Sequence, residues 1–258
     1  MLLRNGETTK QNWPPLEDWI VNMDFPATCL MTAVYKERGH YREFIESCER
    51  LQASPAVLRG CTHPWGLGQK IRLAAAFLKL PKSQPYDCFV FCDAFDVILQ
   101  KPLEEIGRHY LENHSDRIIF AAERYCYPDD WKRAIYPSAP NEYRFLNSGF
   151  WIATSELARA MFELIDPERI PVSINDQQVF TDLFLAKVLP IQLDYQIEYC
   201  QCLNGALDDV TYDTEAGLVH NKTTGSTPGF IHGNGNASLK PTIECVLRRD
   251  LHIVQTVT

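Results

Sequence analysis

The sequence is short of positive charge. Its 25 Lys and Arg are outnumbered by 33 Asp and Glu, giving a formal net charge of −8 over 258 residues, and the basic side chains nowhere gather into a run. A surface that grips a phosphate backbone needs clustered Lys and Arg, so nucleic acid is excluded as a partner. An acidic face can still attract a basic polypeptide. Long apolar runs are missing as well: no uncharged stretch approaches the ~20 residues of a membrane-spanning helix. The opening MLLRNGETTKQNWPPLEDW has no apolar core of the length a secretory leader needs. As it stands the chain is expected to be cytoplasmic, or to belong to the endoplasmic reticulum lumen if a leader has been trimmed.

The nine cysteines lack the paired spacing of a zinc knuckle; Cys200 and Cys202 are too close together, and Cys88 and Cys92 fall in a strand pattern. Buried thiols are expected, with one or two disulfides as the other reading. Sequons at Asn113, Asn221 and Asn236 would matter only in a secretory compartment. No repeat, low-complexity tract or linker divides the chain. With 45% of residues hydrophobic, one domain over residues 1–258, its core about 27–245, is expected.

What is present reads as strands alternating with helices. ATCLMTAVY (27 to 35) is a buried strand, and ERGHYREFIESCERL puts Tyr41, Phe44, Ile45, Cys48 and Leu51 on one helical face. AVLRG predicts a second strand and GQKIRLAAAFLKL a helix buried through Ile71, Ala74, Ala75 and Leu78. DCFVFC does not alternate, which marks a central strand buried on both faces. PLEEIGRHYLE is helical from Pro102, RIIFAAE a strand, and GFWIAT a short strand. SELARAMFELI is a helix capped by Ser155, and NDQQVFTDLFLAKV one begun by Asn175. The stretch RYCYPDDWKRAIYPSAPNEY, with four aromatics between residues 125 and 136, is a loop long enough to imply binding. The C-terminal third is strand-like and loop-rich. The pattern predicts an open α/β sheet, mostly parallel and flanked by helices, with its ligand site beyond the carboxyl ends of the strands.

At such an end FVFCDAFDVIL delivers Asp93 and Asp96. Two acids three apart on a turn past a strand can converge on one point, whereas within a strand they would face opposite sides. Hard oxygen ligands suit Mg²⁺ or Mn²⁺ and leave positions for phosphate oxygens; the plainer reading is a turn cap and a solvated acid. HGNGNAS offers two glycines that let backbone N–H groups approach an anion, and His232, an imidazole that would tip the choice toward Mn²⁺. GLGQKIR enters a helix with Lys70 and Arg72, favourable to anions, but has neither a Walker spacing nor a dinucleotide fingerprint. Asn175 and Asp176 can cap a helix or serve a sugar, and Asp208 with Asp209 carries the same ambiguity.

Read in order, GQKIR, DAFDVIL, FAAERYCYP, RFLNSG, NDQQVFTDLFL, LNGALDDV and HGNG resemble the glycosyltransferase domain of the multifunctional procollagen lysyl hydroxylases, and more loosely the procollagen galactosyltransferases. The blocks span about residues 28 to 240. The resemblance implies a GT-A-type nucleotide-sugar-binding fold, a UDP-sugar donor, Mn²⁺, and a collagen-like peptide acceptor bearing hydroxylysine or galactosyl-hydroxylysine. It implies Asp93, Asp96 and His232 as metal ligands. Trp65 or Phe95 would flank the uracil, and Lys70, Asn234 and Gly235 would line the diphosphate. Thr32, Ser238 and Lys240 complete the nucleotide-sugar set. Asn147 would contact sugar or acceptor, and Asp176, beside Asn175, matches the last acid of a family Asp-rich run tied to transfer.

This chain departs from the family at several positions. Phe95 stands for a Tyr, Tyr127 for an acceptor-side Trp, and Ser238 for a Lys that reappears two places on as Lys240. The acidic run is cut to Asn175 and Asp176, and hydroxylation is not expected, since the hydroxylase half is absent. Glucosyl transfer is favoured over galactosyl transfer because the nearer block matches are to the bifunctional family. A transferase for cell-surface glycans, or a UDP-sugar-binding scaffold with little turnover, are the other readings.

Overall fold

Residues 27–60 and 65–248 are described by a computed structural model. The opening segment and Cys61 lie outside them. The first apolar run forms β1 (Thr28–Val34), followed by α1 (Tyr41–Arg50), β2 (Ala56–Arg59), α2 (Gly68–Leu78) and β3 (Cys88–Cys92). All five residues of β3 are buried, as the lack of alternation in DCFVFC predicts. β1 pairs in parallel with both β2 and β3.

Next come β4 (Val97–Leu99), α3 (Leu103–Asn113), β5 (Ile118–Glu123), β6 (Phe145–Thr154), α4 (Ser155–Ile165) and α5 (Asp176–Ala186). The chain then forms β7 (Ile191–Leu193), β8 (Cys200–Cys202), β9 (Val210–Asp213), β10 (Leu218–Asn221), β11 (Phe230–His232) and α6 (Lys240–Leu247). The main sheet runs β2-β1-β3-β6-β5-β8-β11-β4, with β7 also on β5, while β9 and β10 form a separate antiparallel pair. Five of the eight pairings in the main sheet are parallel; β6 opposes both its neighbours and β4 opposes β11.

Helices cover both faces. On one, Met31, Phe89, Phe120 and Trp151 pack with Ile71 and Leu78 of α2, Met161 and Phe162 of α4, and Phe180 of α5. Phe91 and Trp151 stack at 5.9 Å, a contact worth ~1 kcal/mol beyond the area it buries. On the other face Leu30, Val90 and Ile152 meet Phe44 and Cys48 of α1 and Ile106 and Tyr110 of α3. A third cluster joins α6 to the β9–β10 pair through Ile243, Val246, Val210 and Val219. None of the eight described cysteines is in a disulfide, and all are buried.

Three local expectations are corrected. The strand GFWIAT begins earlier, at Phe145, because a register shift against β5 between Phe120 and Ala121 lets the pairing resume beyond a bulge. The cap of α4 is Thr154, whose Oγ1 accepts from Leu157 N; the Ser155 hydroxyl donates to Tyr86 O instead. The α6 helix has no counterpart in the sequence reading. The aromatic loop does follow β5 and contains one 3₁₀ turn, Asp130–Ala134. Lys132, buried between Asp129 and Asp182, and Arg144, which donates to the carbonyls of Arg133, Tyr136 and Pro137, hold its shape.

The turn into β8 hangs on one buried acid. Asp194 accepts from the backbone N–H groups of Glu198, Tyr199 and Cys200 at 2.8, 2.8 and 3.0 Å. Burial pushes its carboxyl up to about 6, with the three donors pulling the other way. Asp194→Ala leaves those donors without an acceptor and is expected to cost about 3 kcal/mol. Urea unfolding checks this; a change within ~0.5 kcal/mol would show that the turn holds by other means.

Candidate active site

Seven strands, β1, β2, β3, β5, β7, β8 and β11, run in one direction, because β6 reverses between β3 and β5 and so restores the same sense on its far side. Their carboxyl ends share an edge. Cys92 hands the chain to Asp93 there, β5 ends in Glu123 and β11 ends in His232. Asp93 N is fixed by donating to Gly149 O at 2.9 Å, and Gly233 N donates to Asp96 O at 2.7 Å.

Asp93, Asp96 and His232 meet, with one ligand atom from each lying within 4.8 Å of the others. His232 Nε2 is 3.4 Å from Asp96 Oδ2. Burial alone would lower the imidazole pKa, but Asp96 reverses this and holds it well above the ordinary value. Asp96 responds in kind: burial would raise its carboxyl, and His232 brings it below the usual range. On the other side of the ring, Nδ1 is 3.9 Å from Cys202 Sγ. Burial pushes that thiol well above its ordinary pKa, and it meets the ring nitrogen opposite the one that faces Asp96, so the Cys200, Cys202 and His232 group lies on the other side of the imidazole. The donor set on the Nε2 side is two carboxylates and one imidazole, which fits Mn²⁺ or Mg²⁺ better than a thiolate-seeking metal.

The position of Lys70 differs most from a solvated helix charge. It is buried, its Nζ lies 2.8 and 3.1 Å from the two Asp93 oxygens, and Asp176 Oδ2 is 3.0 Å away. Burial would strip the ammonium of its proton, yet the two carboxylates outweigh this and raise its pKa. Asp93 itself is raised, by burial first, with Lys70 opposing. The Asp176 contact is an ion pair by distance only, since Oδ2 lacks a hydrogen bond aligned with any described donor. Asp176 is 2% exposed, so a hydroxyl that met it would share it with Lys70. Arg72, by contrast, donates to Ile170 O and is structural.

Glu123 was not singled out as a site residue, yet it organises the middle of the edge. Its Oε1 accepts from Asn147 Nδ2 at 2.9 Å and Gln177 Nε2 at 2.8 Å, and Oε2 accepts from Asn234 Nδ2 at 2.9 Å. Burial raises its carboxyl against these three donors. The signal in the sequence is the one that marks Asp93, an acid closing an apolar strand. Gln177 and Gly149 carried no such signal. Gly149 sits in the β6 bulge, where residues 148–150 have no partner on β5. A Cβ there would lie 2.8 Å from His232 Nδ1 and closer still to Cε1, so only glycine leaves the imidazole its seat.

Asn175 caps α5, accepting from Gln177 N at 3.0 Å, and its Nδ2 donates to Tyr127 Oη at 3.3 Å. Trp65 stacks on Tyr35 at 5.6 Å, and Phe95 lies under the Arg38 guanidinium at 4.7 Å; both rings are half-buried beyond strand ends. Gly235 has φ +64° and is exposed. Ser238 and Lys240 are exposed too, and their contacts are local, Lys240 N to Ser238 Oγ and Lys240 Nζ to Glu244. Thr32 is fully buried inside β1, and its Oγ1 has no hydrogen-bond partner among the described residues. The ambiguity over Asp209 is resolved toward structure: it pairs with Arg124 and accepts from Tyr143 Oη at 2.6 Å, while Asp208 is exposed. Asn221 is buried with its amide nitrogen hydrogen-bonded, which removes it as a glycosylation site in the folded chain.

The sequence is 35% identical over 179 residues to the procollagen-lysine,2-oxoglutarate 5-dioxygenase of Drosophila melanogaster, covering 66% of this chain and 24% of the relative. It is 29% identical over 226 residues to the multifunctional procollagen lysine hydroxylase and glycosyltransferase LH3 of Rattus norvegicus, covering 82% and 30%. The chain thus spans about a quarter to a third of the length of these relatives. Among solved structures, a glycosyltransferase involved in the glycosylation of the major capsid of PBCV-1 aligns over 88% of this chain and 100% of its own, with 12% identity and a TM-score of 0.48. The sequence profile described as PLOD GT domain matches residues 27–244, which include every strand described above and every helix but the end of α6, and the chain therefore belongs to this family of glycosyltransferases.

Proposed function

We propose that the chain is a UDP-sugar-dependent hexosyltransferase of GT-A type, transferring glucose, or galactose, to galactosyl-hydroxylysine or hydroxylysine in a collagen-like peptide, with Mn²⁺ as cofactor. The observation that carries this reading is the convergence of Asp93, Asp96 and His232 at the strand ends. A cation bound there supplies positive charge to a diphosphate leaving group. The chain's own residues supply the rest. Trp65 and Phe95 offer faces for the base. Lys70, Asn234 and Gly235 border the diphosphate position, and Asp176, paired with Lys70, takes a hydroxyl of the sugar or of the incoming nucleophile. Glu123 is a positioning residue, since it fixes Asn147, Gln177 and Asn234 at once.

The acceptor reading is supported by exposed aromatics on the loop after β5. Tyr125, Tyr127 and Trp131 are 48%, 58% and 68% exposed, and Tyr127 is tied to the cap of α5 beside Asp176. Such faces suit the proline rings of an extended peptide.

The direct experiment is UDP release from UDP-glucose and UDP-galactose, with Mn²⁺ and a galactosyl-hydroxylysine or hydroxylysine peptide. Acceptor-dependent release is expected, and Asp93→Ala or His232→Ala should abolish it together with Mn²⁺-dependent UDP binding. Full activity in chelator would end the metal assignment; UDP-sugar binding without acceptor-dependent release would favour the scaffold reading, and activity on saccharides alone the glycan reading. Gly149→Ala should weaken Mn²⁺-dependent UDP binding at least roughly tenfold in calorimetry by displacing the imidazole. Glu123→Gln sets a fresh amide against three amide donors. It is expected to lower kcat on the order of 100-fold while UDP affinity changes only a few-fold. An equal loss in both would show that Glu123 serves nucleotide binding instead.

A further inference from the structure

The opposite edge of the sheet, where the parallel strands begin, holds a second cluster of metal-ligating side chains. His109 lies in the last turn of α3, His114 is the residue at which α3 stops, and Glu198 sits just before β8. His114 Nε2 is 3.2 Å and His109 Nε2 3.5 Å from the same oxygen, Glu198 Oε2. One ligand atom from each residue lies within 4.8 Å of the others. In a tetrahedral ion with bonds of about 2.0–2.1 Å, neighbouring ligand atoms are about 3.4 Å apart, so both measured edges fit without rearrangement.

The ligands are held in place. Both imidazoles pack on the buried Tyr199 ring, at 5.6 and 5.8 Å between centroids, and they meet edge to face at 6.0 Å. The Glu198 backbone is fixed by the Asp194 carboxylate. The cluster opens onto a cleft of about 410 Å³ lined also by Lys101, Arg108, Ser226 and Thr227, which leaves room for solvent at a fourth position.

We propose that His109, His114 and Glu198 form a second metal site, selective for Zn²⁺ or a similar borderline divalent cation, which pins the end of α3 to the turn before β8. Two imidazoles and one carboxylate prefer such an ion to Mn²⁺ or Mg²⁺, which favour oxygen. The Asn113 amide nitrogen donates to His109 O at 2.8 Å and lies 3.2 Å from His109 Nδ1, which leaves Nε2 as the ring nitrogen facing Glu198. Ligation through Nε2 leaves the ring proton of His109 on Nδ1, at the exposed helix end beside Asn113.

Zinc titration of the full chain by calorimetry tests the site, with the anomalous signal of zinc-soaked crystals as a direct reading of position. Wild type is expected to bind one more Zn²⁺ than His109→Ala/His114→Ala, with an anomalous peak between the three side chains and a rise in Tm that the double variant lacks. Glu198→Gln, which keeps size and the backbone turn, should show the same loss if the double variant folds poorly. Asp93→Ala/Asp96→Ala should retain this ion, which separates the site from the transferase centre. Equal stoichiometry in wild type and the variants, binding only at millimolar zinc, or no peak at this position would overturn the proposal.

Discussion

The burial of Lys70 between Asp93 and Asp176 is the interaction on which the active edge depends. Asp93 comes from the end of β3 and Asp176 from the first turn of α5, more than 80 residues later. Two carboxylates that close in a partly dry site repel, and an ammonium 2.8 Å from one and 3.0 Å from the other removes that repulsion. It also ties α2, which carries Lys70, to both. His232 plays the matching part for Asp96. The edge thus carries alternating charge, acid and base, across four elements of the fold.

Such an arrangement is stable only if its members are fixed by groups that are not themselves charged. Glu123 is a further buried acid at the edge, and its acceptors are satisfied by amides rather than by a cation, through Asn147, Gln177 and Asn234. Those amides come from β6, α5 and the loop after β11. The Asp209 network does similar work one layer out: Tyr143, Gln201 and Asn221 share hydrogen bonds that hold the β9–β10 pair against β8. Polar contacts of this kind fix position well because each partner left alone would be a buried unpaired group.

The two edges of the sheet divide the chemistry. At the carboxyl ends oxygen ligands dominate and the surroundings are charged. At the amino ends two imidazoles converge on one carboxylate beside an aromatic ring. Donor hardness differs between them, so the two proposed sites would take different kinds of ion.

The sequence by itself determined most of the strands and helices up to α5 and the faces they bury, since periodicity reports the face a residue occupies, but not the early start of β6 or the helix α6. It determined that β3 ends in carboxylates, because Asp93 follows five apolar residues without a break, and that Asn175 begins a helix. It did not determine neighbours. Glu123 closes its strand as visibly as Asp93, but its amide partners come from three separate segments. Gly149 matters only because a bulge in β6 brings it against an imidazole more than 80 residues away. Lys70 reads as a cation at a helix entry, favourable to an anion, and the two acids that bury it, Asp93 and Asp176, come from elsewhere in the chain. The order β3-β6-β5-β8-β11 is not the order of the chain. Strand pairing joins backbone groups far apart in sequence, and only that pairing decided which acids, amides and imidazoles would stand within reach of one another.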